Sequence, residues 1–154
     1  MWNKDKSLLL SRIAVGVFMV IAALWIVAAP TLTKLFLDFS RASMHGMTRQ
    51  QTLLCFLATQ YLSLPVAGVL LWNLHRLLQR IGHGEVFVQN NARALRRISW
   101  CCILEAVICV VSCAYYMPFF FVAIAAGFVG LIVRVIKNVF AEAIALKDEN
   151  DFTI

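Results

Sequence analysis

Apolar residues fall along this chain in long blocks separated by short polar connections. The blocks at about 7–29, 52–78, 98–116 and 119–146 each read as a helix. A bilayer-spanning helix takes about 20 mostly apolar residues, so these blocks have the length to cross a membrane. Helix 1 is expected to end at Pro30. Arg12, one turn inside it, is placed to snorkel toward headgroups, and Trp25 stands near the opposite end, where interfacial tryptophans collect. In the next segment, 31–51, Leu32, Leu35, Phe36 and Phe39 follow i, i+3, i+4, i+7 spacing. That face predicts a short amphipathic helix on the outer surface, either a connector or a ligand-contacting lid. Pro65 should kink helix 2, because proline lacks the N–H its helical position needs. Gln60, Tyr61 and Ser63 precede the kink and are expected to hydrogen-bond a neighbouring helix, a small polar cavity being the alternative.

The connection 79–97 opens with two glycines, Gly82 and Gly84, and re-enters a helix from about Phe87. Helices 3 and 4 are joined by Tyr116-Met117-Pro118 alone. Helix 4, over 119–146, would measure roughly 42 Å against a hydrocarbon core of about 30 Å, so its last turns should protrude. The tail 147–154 is acidic and polar.

Composition makes the membrane reading firm. Of 154 residues, 62% are hydrophobic and 14% charged, and mean hydropathy is +0.81. Soluble domains carry roughly 25% charged residues, so a soluble fold could not hide this much apolar surface. The N-terminus resembles a signal peptide, with Ala28-Ala29 mimicking a cleavage site. The apolar run Leu8–Ala29 exceeds the roughly 7–15 residues of a cleavable signal, which favours a retained helix. Eleven Lys and Arg residues fall at the N-terminus, around the 79–97 connection (Arg76 just before it) and at the C-terminal end, against Lys34, Arg41 and Arg49 on the other side. The positive-inside rule then places both termini in the cytoplasm. The predicted fold is all-α: one polytopic membrane domain over 1–154, a bundle of four transmembrane helices.

Candidate chemistry is sparse. Cys55, Cys101, Cys102, Cys109 and Cys113 fall within predicted spans and read as small packing residues. His45, His75 and His83 are isolated, which leaves no metal-ligand spacing, and neither a phosphate loop nor a nucleophile motif is present. No catalytic, cofactor or metal residue is therefore assigned, and the chain is not expected to be an enzyme. Glu105 is the acidic residue inside a span, where a carboxylate costs several kcal/mol (about 3 on insertion scales) unless paired or neutralised. Cys102, Glu105, Ala106, Cys109, Ser112 and Cys113 share one face of helix 3; Ala123, Gly127, Gly130, Arg134, Lys137 and Ala141 share one of helix 4. Side chains of the two antiparallel helices lean toward each other. A Glu105–Arg134 ion pair is therefore predicted, with a proton or ion site, or a neutral hydrogen-bonded acid, as the alternatives. Arg93, Arg96 and Arg97, with Arg76 and Arg80, make the densest basic cluster. Such arginines bind anionic lipid headgroups or dock an acidic partner; direct nucleic-acid binding lacks an aromatic platform or DNA-reading fold.

Two stretches resemble a known family. Gly84-Glu85-Val86-Phe87-Val88, then Asn90 or Asn91, then Leu95-Arg96-Arg97-Ile98 is similar to the connection G-x-x-F-x-x-x-N-x-x-x-L-R-x-I of the bacterial membrane family catalogued as domain of unknown function 2975. Asn91 fits the four-residue step to Leu95 better. The tail Leu146-Lys147-Asp148-Glu149-Asn150-Asp151-Phe152-Thr153-Ile154 resembles that family's closing L-K-x-E-N-D-L-T-I, with Phe152 where Leu is commoner. The resemblance implies a bacterial inner-membrane protein without an assigned activity, in a family many of whose members look to be encoded beside a small helix-turn-helix regulator.

The leading functional expectation is a non-enzymatic regulatory protein. Phe87, Asn91, Arg93, Arg96 and Arg97 would bind a cytoplasmic DNA-binding regulator, and membrane lipids would surround the helices. The rival is a small transporter or channel subunit, assembled as a homo-oligomer, with Gln60, Ser63, Glu105 and Arg134 along a polar path. A third is an immunity or sensor protein acting through its outer segment 31–51.

Overall fold

A computed structural model describes residues 4–39 and 48–151 of the chain. Four helices form over these residues: α1 Lys4–Phe39, α2 Arg49–Gly82, α3 Gln89–Ser112 and α4 Phe119–Asp151. Residues 40–47 of the predicted outer segment, including Arg41, and 152–154 of the tail lie outside the described residues.

The first departure from expectation is at Pro30, which lies inside α1 rather than at its end. Proline frees the carbonyl four residues before it, here that of Ile26. The Tyr61 hydroxyl of α2 donates to that carbonyl at 3.1 Å. A neighbouring helix thus replaces the lost bond, the condition under which proline is tolerated in membrane helices. α1 consequently continues through Leu32, Leu35 and Phe36, which belong to a long helix and not to a separate surface segment. α2 begins at Arg49, three residues before its predicted start, because Thr48 and Gln51 form a reciprocal capping box. An ion pair between Arg49 and Asp38 joins the two helices there.

Three helices are long and apolar enough to cross a membrane: α1 over Lys6–Asp38, α2 over Arg49–Gly82 and α4 over Phe119–Lys147. α3 begins at Gln89, near the expected re-entry at about Phe87, and ends at Ser112, four residues before its predicted end. Its first turns carry Arg93, Arg96 and Arg97, and the apolar part that follows spans only about 22 Å at 1.5 Å per residue. Outward-facing residues on the three long helices are apolar: Val27 is 81% exposed and Phe121 72%. A soluble protein would bury such side chains, whereas hydrocarbon is a good solvent for them.

Consecutive helices are antiparallel neighbours, so the start of α1, the 82–88 turn and the end of α4 lie at one end of the molecule. α1 packs on α2, α2 on α3 and α3 on α4, while α1 and α4 do not pack on each other. The array is open along that side, where a closed bundle was expected. The core lies near the 82–88 turn, with Leu77, Leu95, Ile98 and Cys102 buried together against Val133 and Phe140. The opposite end is held by aromatic rings: Phe56 lies 5.2 Å from both Tyr115 and Tyr116 and 5.8 Å from Phe36 and Phe119.

Candidate functional site

Two places gather the residues that the sequence singles out. One is the 82–88 turn with the first turns of α3. Gly84 has φ +83°, a left-handed conformation that glycine adopts without steric cost. The chain then folds back, and the Glu85 N–H donates to the Arg80 carbonyl at 3.1 Å. Asn91, fully buried, donates from its amide nitrogen to the Glu85 carbonyl at 2.7 Å and the Val86 carbonyl at 2.8 Å. It thereby ties the turn to the first turn of α3, which has no side-chain cap at Val88. Asn91 has no surface to offer a partner, so its predicted role in partner binding is corrected to one of holding the turn. Phe87 is half-exposed, its ring 5.7 Å from that of Phe140 on α4.

Arg93, Arg96 and Arg97 are exposed, while Ala92, Ala94, Leu95 and Ile98 between and beside them are buried. With exposed Trp100 they occupy i, i+3, i+4 and i+7, one stripe of α3. Arg134 joins this stripe from α4, its guanidinium 5.4 Å from the centre of the Trp100 ring. A cation over an indole face is held electrostatically by the ring. At the start of α1, Arg12 donates to the Leu78 and Gln79 carbonyls at 3.3 and 3.1 Å. It therefore caps the end of α2, where the helix dipole favours a cation, instead of reaching outward.

The second place is around Glu105, and here the predicted ion pair does not form. Among the described residues the ion pair present is Arg49–Asp38. The reason is register. A Cβ added at Gly130 would lie 3.1 Å from the Cys102 Cβ, and one at Gly127 would lie 3.8 Å from Ala106. Arg134 is thus level with about Ile98, some two turns or roughly 10 Å along α3 from Glu105. The small face of α3 also divides: Cys102 and Ala106 meet α4, whereas Glu105 and Cys109 turn into a cavity of about 370 Å³ between α2 and α3.

Thr59, Gln60 and Ser63 of α2 line the same cavity. The Thr59 hydroxyl bonds Ser112 at 2.8 Å and Tyr115 at 2.7 Å, tying α2 to α3. The Gln60 amide donates to the Thr33 hydroxyl of α1 at 3.2 Å. The expectation that these polar residues bond neighbouring helices is therefore met at Gln60 and Tyr61. Glu105 is served less well. One carboxyl oxygen has only the Cys109 thiol at 3.8 Å, and the other is buried without a hydrogen-bond partner among the described residues. Past Trp25, Gln60 and Phe119 the cavity meets a groove of about 780 Å³ between α1 and the start of α4.

Sequence reasoning named Gln60, Ser63 and Glu105 for a polar path but missed Trp25, Thr33, Thr59 and Cys109. Thr59 and Gln60 flank the same helical face as Ser63, a signal available in the spacing; Trp25 and Thr33 come from another helix and carried none. Among the described residues no group of three His, Cys, Asp or Glu side chains is placed to hold a metal.

Comparison with protein-family models matches residues 20–154 to the one described as protein of unknown function (DUF2975). The matched region contains both the 84–98 connection and the tail. Curated proteins and solved structures give no match.

Proposed function

The chain belongs to the DUF2975 family, and on that premise we propose that it is a non-enzymatic regulatory protein of the bacterial inner membrane. In this reading both termini and the 82–88 turn face the cytoplasm. The basic stripe of α3 holds an acidic surface of a cytoplasmic partner, a helix-turn-helix transcription regulator.

The observation that carries the reading is the state of Arg93, Arg96 and Arg97. All three are exposed on one side of a rigid helix, and none makes an ion pair or hydrogen bond among the described residues. A basic patch steers association with an acidic surface and adds specificity through charge complementarity. Phe87, half-exposed at the same end, supplies an apolar anchor beside it. The distribution of Lys and Arg supports the orientation, since charges near span ends set topology.

The test is co-purification from native membranes, comparing the wild-type chain with one carrying Arg93→Ala, Arg96→Ala and Arg97→Ala. A DNA-binding protein retained by the wild type and lost by the variant is the expected result. Equal recovery by both, or none by either, rejects the proposal and leaves the stripe as a lipid-headgroup anchor.

A further inference from the structure

We propose that the Glu105 cavity binds a lipophilic organic cation, entering sideways from the bilayer between α1 and α4. The inference is independent of the cytoplasmic docking face.

The chemistry starts with the carboxyl. Glu105 has one oxygen in a long contact with Cys109 and one buried without a hydrogen-bond partner among the described residues. A charged group at this depth needs a counter-charge. Arg134, about two turns away along the helices, is engaged with the Trp100 ring. No basic residue lines the cavity. No protein cation is placed to complement an ionised Glu105, so that complement is left to a ligand.

The walls say what kind of cation. A hard metal ion takes about six or more oxygen ligands, and one carboxyl with a few hydroxyls falls short of that set. An organic cation needs one close negative group and apolar or aromatic surface for the rest. Trp25 and Phe119 supply the latter; they border both the inner cavity and the outer groove. Aromatic faces attract cations as well as apolar groups. The inner cavity of about 370 Å³ takes a small onium head, and the groove of about 780 Å³ takes its apolar body. Ligand sites of about 300–1,000 Å³ are common.

Access follows from the packing. α1 and α4 do not pack on each other, so the groove lies along the open side of the array. A ligand already dissolved in the lipid reaches Glu105 without crossing a headgroup region.

The experiment is equilibrium binding to the full chain in nanodiscs. The probes are tetraphenylphosphonium, the smaller benzyltrimethylammonium, and tetraphenylborate, which resembles the first in shape but is negative. At least one cation should bind saturably and tetraphenylborate should not. Glu105→Gln should weaken cation binding at least about tenfold, the effect of losing about 1.4 kcal/mol. Trp25→Ala should also weaken it, while Glu105→Asp keeps part of it. Size-exclusion profiles and thermal unfolding establish that each variant is folded. Saturable binding by neither cation, equal binding of both charge types, or equal binding by wild type and Glu105→Gln would overturn the proposal. So would a dimer whose second copy fills the groove and excludes both cations.

Discussion

α4 borders α3 along a closed seam, and α1 across an open gap. Along the seam, Ser99, Cys102 and Ala106 face Gly127 and Gly130. Small residues let the backbones approach, and the Ser99 hydroxyl reaches the Gly130 carbonyl at 2.8 Å. Across the gap stand the bulky side chains of Trp25 and Phe119. In the cavity behind that gap, polar groups find partners on adjoining helices or, like one oxygen of Glu105, none among the described residues. In hydrocarbon there is no water to press apolar helices together, so side-chain size decides which faces meet.

The strongest way to break this contrast is to open the seam. Gly130→Val places a branched side chain where even a Cβ would lie 3.1 Å from Cys102 and 3.4 Å from the Ser99 carbonyl. Overpacking of this kind costs about 1–3 kcal/mol, and we expect a matching fall in thermal stability in detergent micelles. Gly127→Ala, whose Cβ meets only an ordinary 3.8 Å contact, should be nearly silent in the same assay.

A comparable loss is expected from Asn91→Ala, which leaves the Glu85 and Val86 carbonyls without their amide donor. Losing two part-buried hydrogen bonds costs about 1–3 kcal/mol. The effect should appear as faster backbone amide exchange confined to residues 84–92, with the Glu105 cavity unchanged.

Next in size is Tyr61→Phe, which removes the donor to the Ile26 carbonyl. Interhelical hydrogen bonds in membranes average about 0.6 kcal/mol and reach about 1.7. If Tyr61 compensates for Pro30, the Tyr61→Phe loss should shrink in a Pro30→Ala background, where the new N–H serves that carbonyl. Equal losses in the two backgrounds, measured by a double-mutant cycle, would remove the link between them.

The smallest effect should come from Glu105→Gln. Its carboxyl has no ion-pair partner to lose among the described residues, so stability should move by less than about 0.5 kcal/mol, as at sites away from a structural contact. A drop of several kcal/mol, seen by thermal unfolding, would mean that Glu105 holds the helices together and that the gap resembles the seam.

What was legible in the sequence was whatever depends on local composition. The bilayer as solvent, the helical class, the turn at Gly82–Val88 and the outward face of Arg93, Arg96 and Arg97 follow from residue type and from spacing within one helix. The family was readable too, from the 84–98 connection and the tail. Within the described residues, the Thr48–Gln51 capping box was also visible and would have corrected the start of α2.

What tertiary structure decided were relations between helices. Pro30 is a helix end in isolation and an interior residue once Tyr61 is beside it. Asn91 looks like a surface recognition residue until the turn wraps over it. Glu105 and Arg134 pair if the turn at Met117 sets the register, but Gly130 against Cys102 sets it instead and moves the two further apart. A helical period specifies which residues share a face. Which face meets which, and at what height, is set by where small side chains allow two backbones to close, a property of pairs of helices that no single segment carries.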